Sequence, residues 1–201
     1  MHITTYLAGP IESDAHASDW RSELKTLLAE YPILIYDPVH LERVKTGYNY
    51  KQAGQALIKH IKEKEFDKFI DICNKIWWGN LDIRSSDNVI SVLQTLRNRK
   101  IVDRNTQTDM PYWGDLEAVV RSDFIVMYLK KNVRTVGTFI ELAVAWLFKI
   151  PVFTIIEEPM HKMSFSALYF ILMSGGTVFS SVKDCANFIK STFFPDVASS
   201  K

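Results

Sequence analysis

The sequence predicts an α/β fold, a three-layer flavodoxin-like or Rossmann-like parallel sheet that carries a mainly helical insertion. Three observations lead there. Four short apolar runs, Ile3–Ala8, Ile33–Tyr36, Phe124–Leu129 and Val152–Ile156, are bounded by turn residues or charges and are too short to stand as helices, so they read as strands. Helical spacing fills the segments between and after them, and strands alternating with helices make βαβ units whose parallel sheet is covered on both faces. Residues from about 41 to 111 break that rhythm, because a single βαβ crossover needs far fewer residues.

Taken in order, the strand at 3–8 is followed by a helix over 17–30, the strand at 33–36 and an insertion at about 42–110. Within the insertion, residues 50–78 are charged and periodic, with Ala53, Leu57, Ile61, Phe66, Phe69, Ile70 and Ile76 marking one face. Residues 86–99 carry Val89, Ile90, Val92, Leu93 and Leu96 at similar spacing, so both segments read as amphipathic helices. The polar stretch 98–110 reads as a mobile loop. A short helix at 116–121 then leads into the strand at 124–129, a helix at 139–149, the strand at 152–156 and a helix at 165–173. Thr177–Phe179 supplies a fifth short strand, 182–194 a closing helix, and 198–201 a frayed tail. The 201 residues are expected to form one domain with its insertion.

Composition narrows the function. At 47% hydrophobic and 12% aromatic content the chain can bury a core without metal or disulfide staples. Formal charge is +1 with acids and bases interspersed, which disfavours polymeric nucleic acid as a partner. Cys73 and Cys185 stand far apart, with no Cys/His ligand spacing, so neither a disulfide framework nor a metal site is expected. His40 and His60 are isolated and are given no role. The N-terminus lacks the basic and apolar regions of a signal peptide and no run is long enough to span a bilayer, so a cytoplasmic protein with no membrane partner is expected.

In an open parallel sheet, ligands bind beyond the carboxyl ends of the strands, and three clusters fall there. The first is Tyr6-Leu7-Ala8-Gly9-Pro10-Ile11, where Gly9 permits close backbone approach and Pro10 fixes the chain as it leaves the strand, although an ordinary β-to-α turn has the same composition. The second is Trp113-Gly114-Asp115-Leu116, followed by Arg121-Ser122-Asp123. Asp115 opens a short helix, where a carboxylate caps free N–H groups; beside Tyr112 and Trp113 it also suits a pocket with a flat apolar wall and a polar group for a base. The third is Gly137-Thr138-Phe139-Ile140-Glu141-Leu142-Ala143. Thr138 and Glu141 have the spacing of a capping box, and equally a glycine turn and a carboxylate at a helix start suit attack on a sugar's anomeric carbon.

Together, Tyr6 to Ile11, Gly114-Asp115-Leu116 with Ser122-Asp123, Gly137-Thr138 with Glu141-Leu142-Ala143, and Lys149-Ile150-Pro151-Val152 resemble the nucleoside 2-deoxyribosyltransferase family, which includes deoxynucleotide and CMP N-glycosidases. The resemblance covers the N-terminal turn and most of the chain from Tyr112 onward, and leaves the insertion without a counterpart. It implies a nucleophilic Glu141 that forms a covalent glycosyl-enzyme, an Asp115 that engages the base and a Tyr6 that orients the glutamate. It also implies that Gly9, Pro10, Trp113, Gly114, Gly137, Thr138 and Ser174 bind substrate. The stretch 163–176, with Ser164, Ser166 and Ser174, is similar to the one through which family members complete a neighbouring subunit's site, which implies a homo-oligomer.

Two places depart from the family's pattern: Thr135 stands six residues before Glu141, where transferases commonly have a second Asp, and Glu12 and Asp14 occupy a turn that nucleotide-cleaving members use for phosphate. A phosphate would then fall to Arg21, Lys45 or the basic stretch 97–100. The expected activity is cleavage or exchange of the N-glycosidic bond of a (deoxy)nucleoside or (deoxy)nucleotide, with water or a free nucleobase as acceptor and no cofactor. The alternative is a nucleotide or nucleotide-sugar sensor in which Glu141 only caps its helix.

Overall fold

The computed structural model describes residues 3–11, 18–39, 46–99, 112–133 and 136–195. Its elements are β1 (Ile3–Ala8), α1 (Asp19–Leu28), β2 (Ile33–Tyr36), α2 (Tyr50–Lys62), α3 (Phe66–Trp78), α4 (Val89–Asn98), α5 (Asp115–Arg121), β3 (Phe124–Leu129), α6 (Val136–Leu147), β4 (Val152–Ile156), α7 (Phe165–Met173), β5 (Thr177–Phe179) and α8 (Val182–Phe193). The expected strands are all present. The stretch 100–111, most of the expected loop at 98–110, lies outside the described residues, as do Thr135, Lys45, His40, Glu12 and Asp14.

The chain divides into two compact units, Met1–Ile35 with Ser122–Lys201, and Tyr36–Arg121. In the first, the strands run in the order β2-β1-β3-β4-β5, and β1–β3, β3–β4 and β4–β5 pair in parallel. This is the flavodoxin-like doubly wound order, so the predicted fold class holds, and the winding direction reverses between β1 and β3.

Strand alternation divides the side chains between two faces. Leu7, Phe124, Val126, Phe153 and Ile155 face a core completed by Trp20, Leu24 and Leu28 of α1 and Cys185, Ala186 and Ile189 of α8. Burying each large apolar side chain stabilises the unit by about 1.5–3 kcal/mol. The register sets Tyr6 beside Ile125 and Ala8 beside Met127 on the opposite face, the one that meets α6.

The second unit is helical and reaches beyond the expected 42–110 at both ends, taking in Tyr36 and all of α5. The periodic segment 50–78 is not one helix. It opens with a capping box between Asn49 and Gln52 and breaks between Lys62 and Phe66, with Lys64 at φ +57. The charged run Lys62-Glu63-Lys64-Glu65 interrupts the apolar stripe, and Glu65 takes hydrogen bonds at 2.7 Å from Lys68 and with His60 Nδ1. Lys68 first and His60 second hold the Glu65 carboxyl down to about 2. Among the described residues no helix is long and apolar enough to cross a membrane.

Candidate active site

The crevice at the β1/β3 reversal is where the topology directs a ligand. Tyr6 sits near the carboxyl end of β1, buried, and its hydroxyl donates to Glu141 Oε1 at 2.6 Å. Glu141 lies in the second turn of α6 and is itself buried. That helix begins at Val136, three residues earlier than its apolar pattern suggests. Gly137 therefore falls inside the first turn instead of forming a turn before it, and buried Thr138 is the third helical residue. An N-cap precedes the first helical residue, so Thr138 is not placed to form the capping box that its spacing with Glu141 permits.

Beyond β1, Gly9 is half-buried and Pro10 buried. The close approach that Gly9 allows is to its own unit: a Cβ there would lie 3.1 Å from the Trp20 ring and 3.3 Å from the Tyr128 carbonyl oxygen. Arg21, fully buried, donates to the carbonyls of Leu7 and Gly9 at 3.4 and 3.3 Å and lies 4.5 Å from the Trp20 ring centroid. Trp20 stacks on Tyr128 at 5.2 Å, and Tyr128 donates to Glu157 Oε1 at 2.8 Å, while Glu157 Oε2 accepts from Lys131 N–H. This network braces the ends of β1, β3 and β4. The Arg21 guanidinium thus supports the turn after β1, and in the helical unit Arg97 donates to Val120 O at 2.8 Å. The adjacent Trp20-Arg21 pair was the available signal for this bracing; the partners lie too far along the chain for spacing to show.

A cavity of about 220 Å³ opens beyond the ends of β3 and β4, lined by Leu129, Lys130, Phe139, Ile156, Glu158 and Ser164 among others. Ser174 is elsewhere. It is buried at the end of α7, where its hydroxyl donates to Ile171 O at 2.7 Å and accepts from Val152 N–H at 3.2 Å. Val152 begins β4, so within this chain Ser174 stands at the amino ends of the strands, opposite the edge where the topology directs a ligand.

In the helical unit, Asp115 is the first residue of α5 and is buried, with Gly114 just before it accepting the helix's first bond from Ala118 N–H at 2.9 Å. Trp113 does not stand as an open wall. It is 2% exposed, stacks near-parallel on Tyr36 with centroids 6.1 Å apart, and carries the Arg121 guanidinium 3.8 Å from its ring centre. Exposed Tyr112 precedes it. For metals, His60, Glu63 and Glu65 are the grouping found among the described residues, with donor atoms within 4.8 Å, on the α2–α3 turn where Lys68 and His60 already engage Glu65.

No family model matches the chain, and no curated protein matches it by sequence. Among solved structures it is similar to a conserved protein from Enterococcus faecalis V583, at 17% identity and a TM-score of 0.49, over 95% of this chain and 99% of that one. It is also similar to a 2-deoxyribosyltransferase from the psychrotolerant bacterium Bacillus psychrosaccharolyticus, at 14% identity and a TM-score of 0.45, over 92% and 90% of the two chains.

Proposed function

We propose that this protein cleaves or exchanges the N-glycosidic bond of a nucleoside or nucleotide through a covalent glycosyl-Glu141 intermediate. The observation that carries the reading is the buried 2.6 Å hydrogen bond from Tyr6 to Glu141 beside the β1/β3 reversal. A carboxylate held at a ligand-binding edge by a phenol from the first strand is poised to attack carbon, and the motif resemblance supplies the substrate class.

In the first step a Glu141 oxygen bonds to C1′ as the C1′–N bond breaks. The base leaves with the bonding electron pair and takes a proton from Asp115 or solvent. In the second, water or a nitrogen of another base attacks C1′, loses its proton and displaces Glu141, so two inversions give net retention. Tyr6 fixes the carboxylate's orientation throughout. The reaction so written calls on no metal or organic cofactor.

The protein acts as a homo-oligomer in this reading. Supporting it is an apolar outer face on α6 and α7, with Val136, Ile140, Phe165, Tyr169 and Leu172 all exposed, and no charged residue anywhere in α7. The deciding experiment incubates the protein with a panel of deoxynucleosides and deoxynucleotides, with and without acceptor base. Free base alone marks a hydrolase and a new nucleoside marks a transferase. Binding without turnover of any substrate would replace this reading with a sensor.

A further inference from the structure

Resting on the reading just given, we propose that the helical insertion is the support of Asp115, and that Gly79, Trp113, Gly114 and Arg121 are positioning residues that hold its carboxyl for the leaving base. The end of α3 runs backbone to backbone against the segment that carries the acid. Gly79, the residue that ends α3 at φ +61, forms an antiparallel bridge with Trp113. A Cβ on Gly79 would fall 2.0 Å from Tyr112 O and 2.6 Å from Gly114 N; one on Gly114 would fall 2.3 Å from Trp77 O. All three obstacles are main-chain atoms and none can rotate aside. Two glycines, from segments more than thirty residues apart, are thus required by one contact, and it lies at the residue preceding Asp115.

The other side is fixed by aromatic and ionic contacts. Tyr36 donates its hydroxyl to Trp113 O and stacks on the indole. Arg121 covers the same ring and donates to Glu117 Oε1 at 2.9 Å, so both ends of α5 are tied through Trp113. A displacement at Gly114 passes directly to the next residue, and misplacing a reacting group by about 1 Å costs ~10²-fold in rate.

The test uses the full chain, with Gly79→Ala, Arg121→Met, and Trp113→Phe beside Trp113→Leu. Folding is checked by circular dichroism and Tm. One readout needs no activity: the 13C resonance of the Asp115 carboxyl in the unliganded protein. The other compares kcat on a natural nucleoside with kcat on one bearing an activated leaving group, which needs no proton. Gly79→Ala, Arg121→Met and Trp113→Leu should move the Asp115 resonance, lower kcat on the natural substrate ~10-fold or more and leave the activated one within ~3-fold. Trp113→Phe keeps a flat ring under Arg121 and should lose less than Trp113→Leu in both. If Gly79→Ala fails to fold, the Arg121 and Trp113 variants decide the question. An unmoved resonance with equal losses on both substrates in folded variants overturns the proposal. A moved resonance in a protein whose wild type cleaves no nucleoside supports the positioning and removes the proposed function instead.

Discussion

Tyr6 and Glu141, 135 positions apart, meet in a buried hydrogen bond of 2.6 Å between the first strand and the helix that follows the third. A glutamate that merely capped its own helix would turn toward the backbone of the first turn, where solvent reaches it. This one reaches across the face of the sheet to a phenol. A carboxylate so buried is costly unless hydrogen-bonded, and the pairing satisfies that need while fixing the carboxylate's orientation.

Glu141→Gln should keep the fold and lower turnover by ~10⁴ or more, as expected for loss of a covalent nucleophile. The amide is nearly isosteric and can still accept from Tyr6. Tyr6→Phe should be milder in rate but should destabilise the fold by about 1–3 kcal/mol, because it leaves a buried acceptor short of a donor. Steady-state kinetics and thermal melts of the two variants check both. Near-wild-type turnover in Glu141→Gln would take Glu141 out of the chemistry.

Asp115→Asn should slow departure of natural bases more than departure of an activated one, since a general acid matters most when the leaving group needs its proton. The measurement is the ratio of kcat/KM values for the two substrates in wild type and variant. Equal losses would assign Asp115 to uniform binding or to the helix start.

The sheet was legible because each strand is an isolated apolar run, and the parallel order follows once helices fill the gaps. Tyr6 and Glu141 were singled out by motifs at strand ends, and the hydrogen bond between them brings the two together, whereas the roles proposed for them rest on the resemblance. The placement of Ser174 was not legible, because sequence does not say which end of the sheet a loop lies at; it follows a helix that returns to the amino ends, and its hydroxyl bridges Ile171 and Val152 there. The surroundings of Trp113 were hidden for a related reason: its ring stacks on Tyr36, 77 positions away, and lies under Arg121 from the end of the helix that follows it. The break in residues 50–78 was written in the charged run at 62–65, which apolar periodicity on either side outweighed.

Cys185 is fully buried in the α1/α8 core, and burial pushes its thiol up to about 12, whereas Cys73 is half-buried. At pH 8 the native protein should therefore release one equivalent with a thiol reagent, from Cys73, and two after denaturation. Linkage gives the accompanying pH effect. The folded state holds the Cys185 proton above the ordinary value of 9.0, so this contribution to stability is complete below that pH and is lost progressively as pH rises toward about 12. Rapid titration of both thiols in the native state would contradict the packing around α8.

The outer faces of α6 and α7 should form the contact between subunits. Phe165 is 86% exposed and Val136 71%, and α7 has the sequence Phe-Ser-Ala-Leu-Tyr-Phe-Ile-Leu-Met, with nothing charged to keep the face hydrated. Burying Phe165 or Leu172 against a second copy would stabilise the assembly by about 1.5–3 kcal/mol each. Exposed apolar side chains that gather into a patch mark interaction sites in folded proteins. A glutamate introduced there must lose its hydration on association, so Phe165→Glu and Leu172→Glu should each shift the protein to a monomer in light scattering while leaving the helical circular dichroism unchanged. Because α7 borders the cavity at the ends of β3 and β4 through Ala167 and the preceding Ser164, dissociation should also lower kcat/KM. A wild-type protein that is monomeric at about 100 µM, well above the ~1 µM dissociation constant that some 8 kcal/mol of contact energy gives, would sink this assignment.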